Sequence, residues 1–245
     1  MSNVLKIKDK ISFNKFFLTP ISRISESAVL VADSSKLKCL SCTSDNSIIF
    51  YIENDIESDI EEEIRLNCSD IKKLIKALDN IDSREVEFTI DGNNISYKDS
   101  KIRFKYHLLE DDIIKVPKIN LSKLDDTAIY TNFSLGEDTI KELIKASVFS
   151  SDSNKLYLSS NEEGVYGELT DKTRNNIDTI TIKIAESYEG ESIKEIPLNF
   201  EIFRIICSSS FDEIKVKINN KIGLVIFELE SNYNKMKYIM SSLIK

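Results

Sequence analysis

Histidine is almost missing from this chain of 245 residues, with His107 alone, and glycine is scarce at 6. A single imidazole leaves no base to pair with a serine or cysteine nucleophile, and so few glycines leave no Gly-rich loop to cradle a phosphate. An enzyme is therefore not expected. Cysteine is limited to Cys39, Cys42, Cys68 and Cys207, all inside stretches predicted as strand or helix. With no long apolar run and no signal peptide, these features point to a reduced, soluble, intracellular protein with no membrane partner. Cys39-x-x-Cys42 is half of a zinc pattern, but no second pair exists to complete four ligands, so neither a metal nor a cofactor is expected.

Acidic charge is in excess, with 41 Asp and Glu against 33 Lys and Arg and a formal net charge of -8. Taken as a sum, that acidity disfavours nucleic acid as a partner, so the placement of the charges decides. The densest acids, Asp55, Glu57, Asp59, Glu61, Glu62 and Glu63, follow one another without Gly or alternating ligand spacing, the pattern of a solvated loop. A divalent-metal site there, and with it a nuclease, is the alternative they leave open.

What is present in abundance is internal repetition. Ile64, Leu66 and Asn67 open a passage that returns at Ile196, Leu198 and Asn199. Apolar residues at helical spacing follow in both: Ile71, Leu74, Ile75 and Leu78, then Ile202, Phe203, Ile206 and Cys207. Next comes a strand-like alternation, Glu85 to Ile90 answered by Glu213 to Ile218, and both copies close on a Lys-Tyr phrase, Lys105-Tyr106 and Lys237-Tyr238. A repeated order of helix, strand and turn over more than a hundred residues implies two copies of one domain. The expected division is residues 1–112 for the first, 113–126 for a Pro117-containing linker and 127–245 for the second.

The coarse pattern is α+β, with two helices per copy gathered on one side of antiparallel sheets. In the first copy Ser12 is a candidate N-cap for a helix with Phe13, Phe16 and Phe17 inward, which Pro20 should stop or kink near Leu18. The next helix begins at Ser69 or Asp70. In the second copy a strand near Ile129–Phe133 leads to a helix announced by Ser134 and Glu137 in capping-box spacing, with Ile140, Leu143, Ile144 and Val148 inward. The last helix covers about Asn199 to Ser208. The opposite faces of these helices carry Lys15; Lys72, Lys73 and Lys76; Lys141 and Lys145; and Arg204. Such stripes are equally what exposed helix faces carry by default and what a polyanion would meet.

The duplicated β-α-β order, two helices per copy, the Pro-containing linker and the closing Lys-Tyr strand together resemble the DNA sliding clamps, with proliferating-cell nuclear antigen and the T4-type phage clamps nearest in size. The resemblance covers essentially the whole chain. It implies that three chains close head to tail into a ring of six clamp domains, that twelve helices line the hole, and that duplex DNA passes through without its sequence being read. DNA polymerase and a clamp-loader ATPase are the implied partners, in the cytoplasm of a prokaryotic or phage-infected cell, or in a nucleus. The implied pore residues are Lys15, Lys72, Lys73, Lys76, Lys141, Lys145 and Arg204. Partner docking is implied at Leu40, Val116, Ile119, Leu121, Ile239, Met240 and Leu243, although each equally suits a core. Subunits would join through Ile102, Phe104, Tyr106 and Leu108 on one edge strand and Thr179, Thr181 and Lys183 on another. The chain departs from cellular clamps in ending its last strand Ser241-Ser242 where a small residue followed by Pro is common. The other readings are a monomeric viral processivity factor holding DNA on an open basic face, and the acid-cluster nuclease.

Overall fold

A computed structural model describes residues 3–125, 130–150, 153–209, 213–231 and 234–243. The chain divides into two compact units, Met1–Lys118 with Asn232–Met236, and Ile119–Ser231 with Lys237–Lys245. The first unit runs β1 (Asn3–Ile7), α1 (Lys10–Phe13), a π-helical turn (Asn14–Leu18), α2 (Thr19–Ile24), β2 (Ala28–Ala32), β3 (Lys36–Cys42), β4 (Ile48–Asp55), β5 (Glu57–Ser58), β6 (Ile64–Cys68), α3 (Ile71–Asp79), β7 (Val86–Asp91), β8 (Asn94–Lys98) and β9 (Arg103–His107). After it come α4 (Ser122–Asp125), β10 (Thr131–Gly136), α5 (Glu137–Ala146), β11 (Lys155–Asn161), β12 (Gly164–Leu169), β13 (Ile180–Ala185), β14 (Ile196–Asn199), α6 (Phe200–Cys207), β15 (Glu213–Asn219), β16 (Leu224–Glu230) and β17 (Asn234–Ser241). No helix among the described residues is long and apolar enough to cross a membrane.

The two units share one topology. In the first, strands lie in the orders β1-β7-β8-β9 and β6-β2-β3-β4; in the second, β10-β15-β16-β17 and β14-β11-β12-β13. Position by position these are the same two sheets, with antiparallel pairing. The fold is thus α+β, two tandem copies of one module, as the repeat implies. The alternation that made Val86–Asp91 and Glu213–Asn219 legible is the alternation of burial: Val86, Phe88 and Ile90 turn inward, as do Ile214, Val216 and Ile218. One face of each sheet is therefore committed to a core.

Four local expectations need correction. The first helical run starts with Asp9, not Ser12, as its cap, accepting from the amides of Ile11 and Ser12 at 3.1 Å each. Nor does it stop near Leu18. Pro20 has no N–H for the Phe16 carbonyl, and in a regular helix its ring would strike that carbonyl. The Thr19 N–H instead reaches back to Asn14, widening residues 14–18 into a π turn, and the run continues to Ile24. The Asn234 side-chain amide donates to the Phe16 carbonyl. Third, the capping box at Ser134 does not form: Ser134 lies within β10, and α5 starts after Gly136 with Glu137 and Asp138 in its first turn, where they complement the helix dipole. Fourth, Ile144 and Val148 do not turn inward, because α5 ends at Ala146 and only Ile140 and Leu143 of that stripe are buried. The strand expected from Ile129 is seen from Thr131; Ile129 itself lies outside the described residues.

The repeated tyrosine does similar work at different helix ends. The Tyr106 hydroxyl accepts from the Asp70 N–H at 2.9 Å and donates to the Asp70 carbonyl at 3.0 Å, fixing the residue whose carboxylate caps α3. The Tyr238 hydroxyl lies 3.2 Å from Ser209, just past α6. Removing the first hydroxyl leaves a half-buried N–H and C=O without that partner. Tyr106→Phe is expected to cost about 1–2 kcal/mol, read as a lowered midpoint in urea with an unchanged slope.

Candidate nucleic-acid interface

Helix α3 is short, and its sequence leaves little freedom in how it lies. Ile71, Leu74 and Leu78 are buried on one side, Asp70 accepts from the Lys73 N–H at 2.9 Å at its start, and Lys72, Lys73 and Lys76 are left exposed on the other. The preceding helical run is tied to the end of α3 by two polar contacts. Asn14 donates to Asp79 at 2.8 Å, and the buried Lys10 amine donates to the Ile81 carbonyl. Because the π turn carries the chain past Pro20, α2 packs beside α3 and brings Arg23 to it. Arg23, Lys72, Lys73 and Lys76 line one cleft of about 520 Å³, with Glu26 and Asp70 also on its wall. Reading Pro20 as a stop or kink near Leu18 left Arg23 out; the signal that could have found it is the apolar pair Ile21 and Ile24, both buried. Lys15, on the π turn, is exposed, its ammonium 4.9 Å from the Phe16 ring centre.

The basic residues of the second unit are differently placed. Lys141 pairs with Glu137 at 2.9 Å and Asp138 at 3.7 Å, and the hydrogen bond to Glu137 raises its pKa above the ordinary lysine value. Arg204 is half-buried: it donates to Ser147 Oγ at 2.7 Å, meets Glu201 at 3.4 Å and lies over Phe200, 5.1 Å from the ring centre. Lys145 is exposed on the last turn of α5.

Both expected joining strands are sheet edges. β9 ends the five-stranded sheet and β13 ends its own four-stranded sheet. In β9 Phe104 is half-buried against Phe88 and Tyr97, Tyr106 is buried, and Ile102 and Leu108 are half-buried at the strand's ends. Thr179, Thr181 and Lys183 are exposed, and the Lys183 amine reaches Glu186. Helix α5 packs against β13, and beyond its end Val148 (76% exposed) and Phe149 (61% exposed) stand in solvent beside the exposed Ile144. Phe149 is outside the expected set of site residues, although two bulky apolar residues directly after a helix end are a readable signal.

Of the expected docking residues, Ile239 and Met240 are buried in β17, Leu40 is half-buried on the side of β3 opposite Cys39, and Val116, Ile119 and Leu121 are half-buried. Leu243 is 46% exposed, its N–H donating to the Pro197 carbonyl at 2.8 Å. The neighbouring Ser242 N–H donates to Gly223, which follows the exposed Ile222 in the β15–β16 turn. Ile222 was not anticipated. The acidic stretch is partly ordered structure: Glu57 sits in β5 and pairs with Lys8 at 2.6 Å, Asp59 accepts from the Val4 N–H, and Ile60 is buried. Among the described residues no three His, Cys, Asp or Glu side chains converge as metal ligands would.

No protein-family model matches the chain, and no curated protein does. Solved structures match along its whole length. The PCNA of A. fulgidus, in a structure with the C-terminal region of FEN-1 bound, superposes with a TM-score of 0.79 at 14% identity, over 100% of this chain and 99% of that one. PCNA from Thermococcus kodakaraensis gives 0.76 at 11% identity, over 98% and 99%. Proliferating Cellular Nuclear Antigen from Entamoeba histolytica gives 0.73 at 11%, over 99% of each chain. The fold is that of the sliding clamps, reached through a sequence with little residue-level likeness to them.

Proposed function

We propose that this chain is a DNA polymerase processivity factor, a sliding clamp that closes as a homotrimeric ring around duplex DNA and tethers polymerase and other replication proteins. The observation that carries the reading is the end-to-end match of the whole chain, both units included, to clamp chains. Three features support it. The exposed faces of α3 and the π turn are basic in a protein whose net charge is -8. β9 in the first unit and β13 in the second each end a sheet, and apolar Val148 and Phe149 lie on the unit that bears β13. Uncovered edges and apolar residues of this kind are normally paired or covered, and a head-to-tail ring covers both.

In this reading the protein performs no chemistry. A closed ring needs no tight grip, so basic side chains meet phosphates without reading bases, and the complex slides. Loading requires a clamp-loader ATPase to open one joint, and the work is done inside the cell. Exposed Ile222 and Leu243 and half-buried Leu40, Val116, Ile119 and Leu121 are the apolar residues offered to partners.

Sedimentation of the native protein tests this, with an expected mass near three times 28.0 kDa. Protein loaded on circular duplex DNA should be lost when the circle is cut, because the ends release a ring. A 28.0 kDa species retained equally on linear and circular DNA would instead favour a monomer with an open basic face.

A further inference from the structure

The helices of the two units are far from equal in charge. In the first unit, Lys10–Ile24 and Ile71–Asp79 carry six basic residues, Lys10, Lys15, Arg23, Lys72, Lys73 and Lys76, against the single acid Asp79, a net of +5. In the second, α5 and α6 carry three, Lys141, Lys145 and Arg204, against Glu137, Asp138, Glu142 and Glu201, a net of -1. Duplication of the fold has therefore not been accompanied by duplication of its electrostatics.

Side-chain geometry sharpens the contrast. Lys15, Lys72, Lys73 and Lys76 are exposed and, among the described residues, none lies within ion-pair distance of a carboxylate. Three of them stand along one side of a nine-residue helix that walls the 520 Å³ cleft shared with Arg23. Across the repeat, Lys141 is held by two carboxylates of its own helix, and Arg204 spends its guanidinium on Ser147, Glu201 and the Phe200 ring. A cation already neutralised by a neighbour gains less from a phosphate, since the existing pair must be loosened and no counterion is released. Lys145 alone remains, and Glu142 sits on the same helix.

We propose that the phosphodiester backbone of duplex DNA is held by the first unit alone, through Lys72, Lys73, Lys76 and Lys15, while the second-unit helices are an electrostatically neutral wall. This rests on the clamp reading above. In a three-subunit ring it gives three phosphate-holding sectors alternating with three passive ones, rather than six equivalent sectors.

The test is fluorescence anisotropy of a labelled linear 30-base-pair duplex titrated with the intact protein over a series of KCl concentrations. The triple variant Lys72→Gln, Lys73→Gln, Lys76→Gln is expected to bind at least about tenfold more weakly at low salt, with the slope of log K against log salt flattened by about 0.9 for each phosphate no longer neutralised. The double variant Lys141→Gln, Lys145→Gln is expected to stay within about twofold of the parent, slope unchanged. All are surface changes, and sedimentation confirms that each variant keeps the parent's mass. If the parent binds and the two variants lose affinity alike, or the second loses more, the asymmetry is overturned while the clamp reading stands. If the parent shows no salt-dependent binding to the duplex at all, a phosphate-holding first unit is overturned, while the clamp reading is decided separately by sedimentation and by release from cut circular DNA.

Discussion

Proline at position 105 is expected to convert a species of about three times 28.0 kDa into one of 28.0 kDa, with each chain still folded. The reason lies in the hydrogen-bond parity of β9. The Asp99 N–H donates to the Ile102 carbonyl at 2.9 Å, and the Leu108 N–H donates to Asn93 at 2.8 Å, so these are the hydrogen-bonded pairs at either end of the β8–β9 ladder. In an antiparallel ladder such pairs alternate, so Phe104 and Tyr106 also bond to β8. Arg103, Lys105 and His107 must then turn their N–H and C=O groups to the uncovered edge. Lys105 is exposed, and proline is tolerated on an edge strand whose N–H faces outward. The substitution thus spares the sheet and removes one donor from the centre of the edge that a neighbouring β13 would pair with. Lys105→Pro should keep the parent's far-UV circular dichroism and lose retention on circular DNA. Phe104→Pro is the contrasting control: it strikes the β8 side and should unfold the strand. A Lys105→Pro protein that still sediments at the parent's mass would remove β9 from the subunit joint.

What the sequence made legible follows from how local each signal is. Helix α3 could be read in full, because its three buried aliphatics, its Asp70 cap and its lysine stripe all lie within eleven residues. The duplication was legible for the same reason: the phrases at Ile64 and Ile196 and the closing Lys-Tyr pairs mark equivalent strands in both units. The helical run through Pro20 was not. Its continuation depends on Asn234, more than two hundred positions away, which donates to the carbonyl that proline cannot serve. The capping box at Ser134 failed because strand pairing with β15 holds residues 131–136 extended, and tertiary pairing outweighs a cap worth about 1 kcal/mol. A lysine's freedom depends on the charges one helical turn before it: Glu137 and Asp138 stand four and three positions before Lys141 and hold it, where Lys72 and Lys73 stand before Lys76. The candidate interface was visible as a list of residues, and the signal for its division between the units lay in the acidic or basic neighbours three and four positions from each lysine.

Phe17→Ala is expected to be among the most destabilising single changes in the first unit, at about 3–5 kcal/mol. Phe17 is fully buried and its ring stacks on Phe13, centres 5.1 Å apart and planes 17° from parallel. Alanine would forfeit the apolar burial and the ring stacking, and the surroundings are poorly able to close the gap. The π turn is pinned on both sides, by Asn14 to Asp79 and by the Phe16 carbonyl to Asn234, so the backbone has little room to settle inward. For a unit of this size the loss corresponds to a melting temperature lower by roughly 10 °C or more. Phe16→Ala, at a half-buried neighbour, should lose much less, because its site is open to water on one side. The consequence for function follows from what the π turn carries. Below its melting point the Phe17→Ala protein should still bind duplex DNA with the parent's salt slope, since Lys15 and the α3 lysines are unaltered, and lose that binding in step with the far-UV signal on warming. Equal melting temperatures for the Phe17 and Phe16 variants would show that the π turn is not the anchor of this unit.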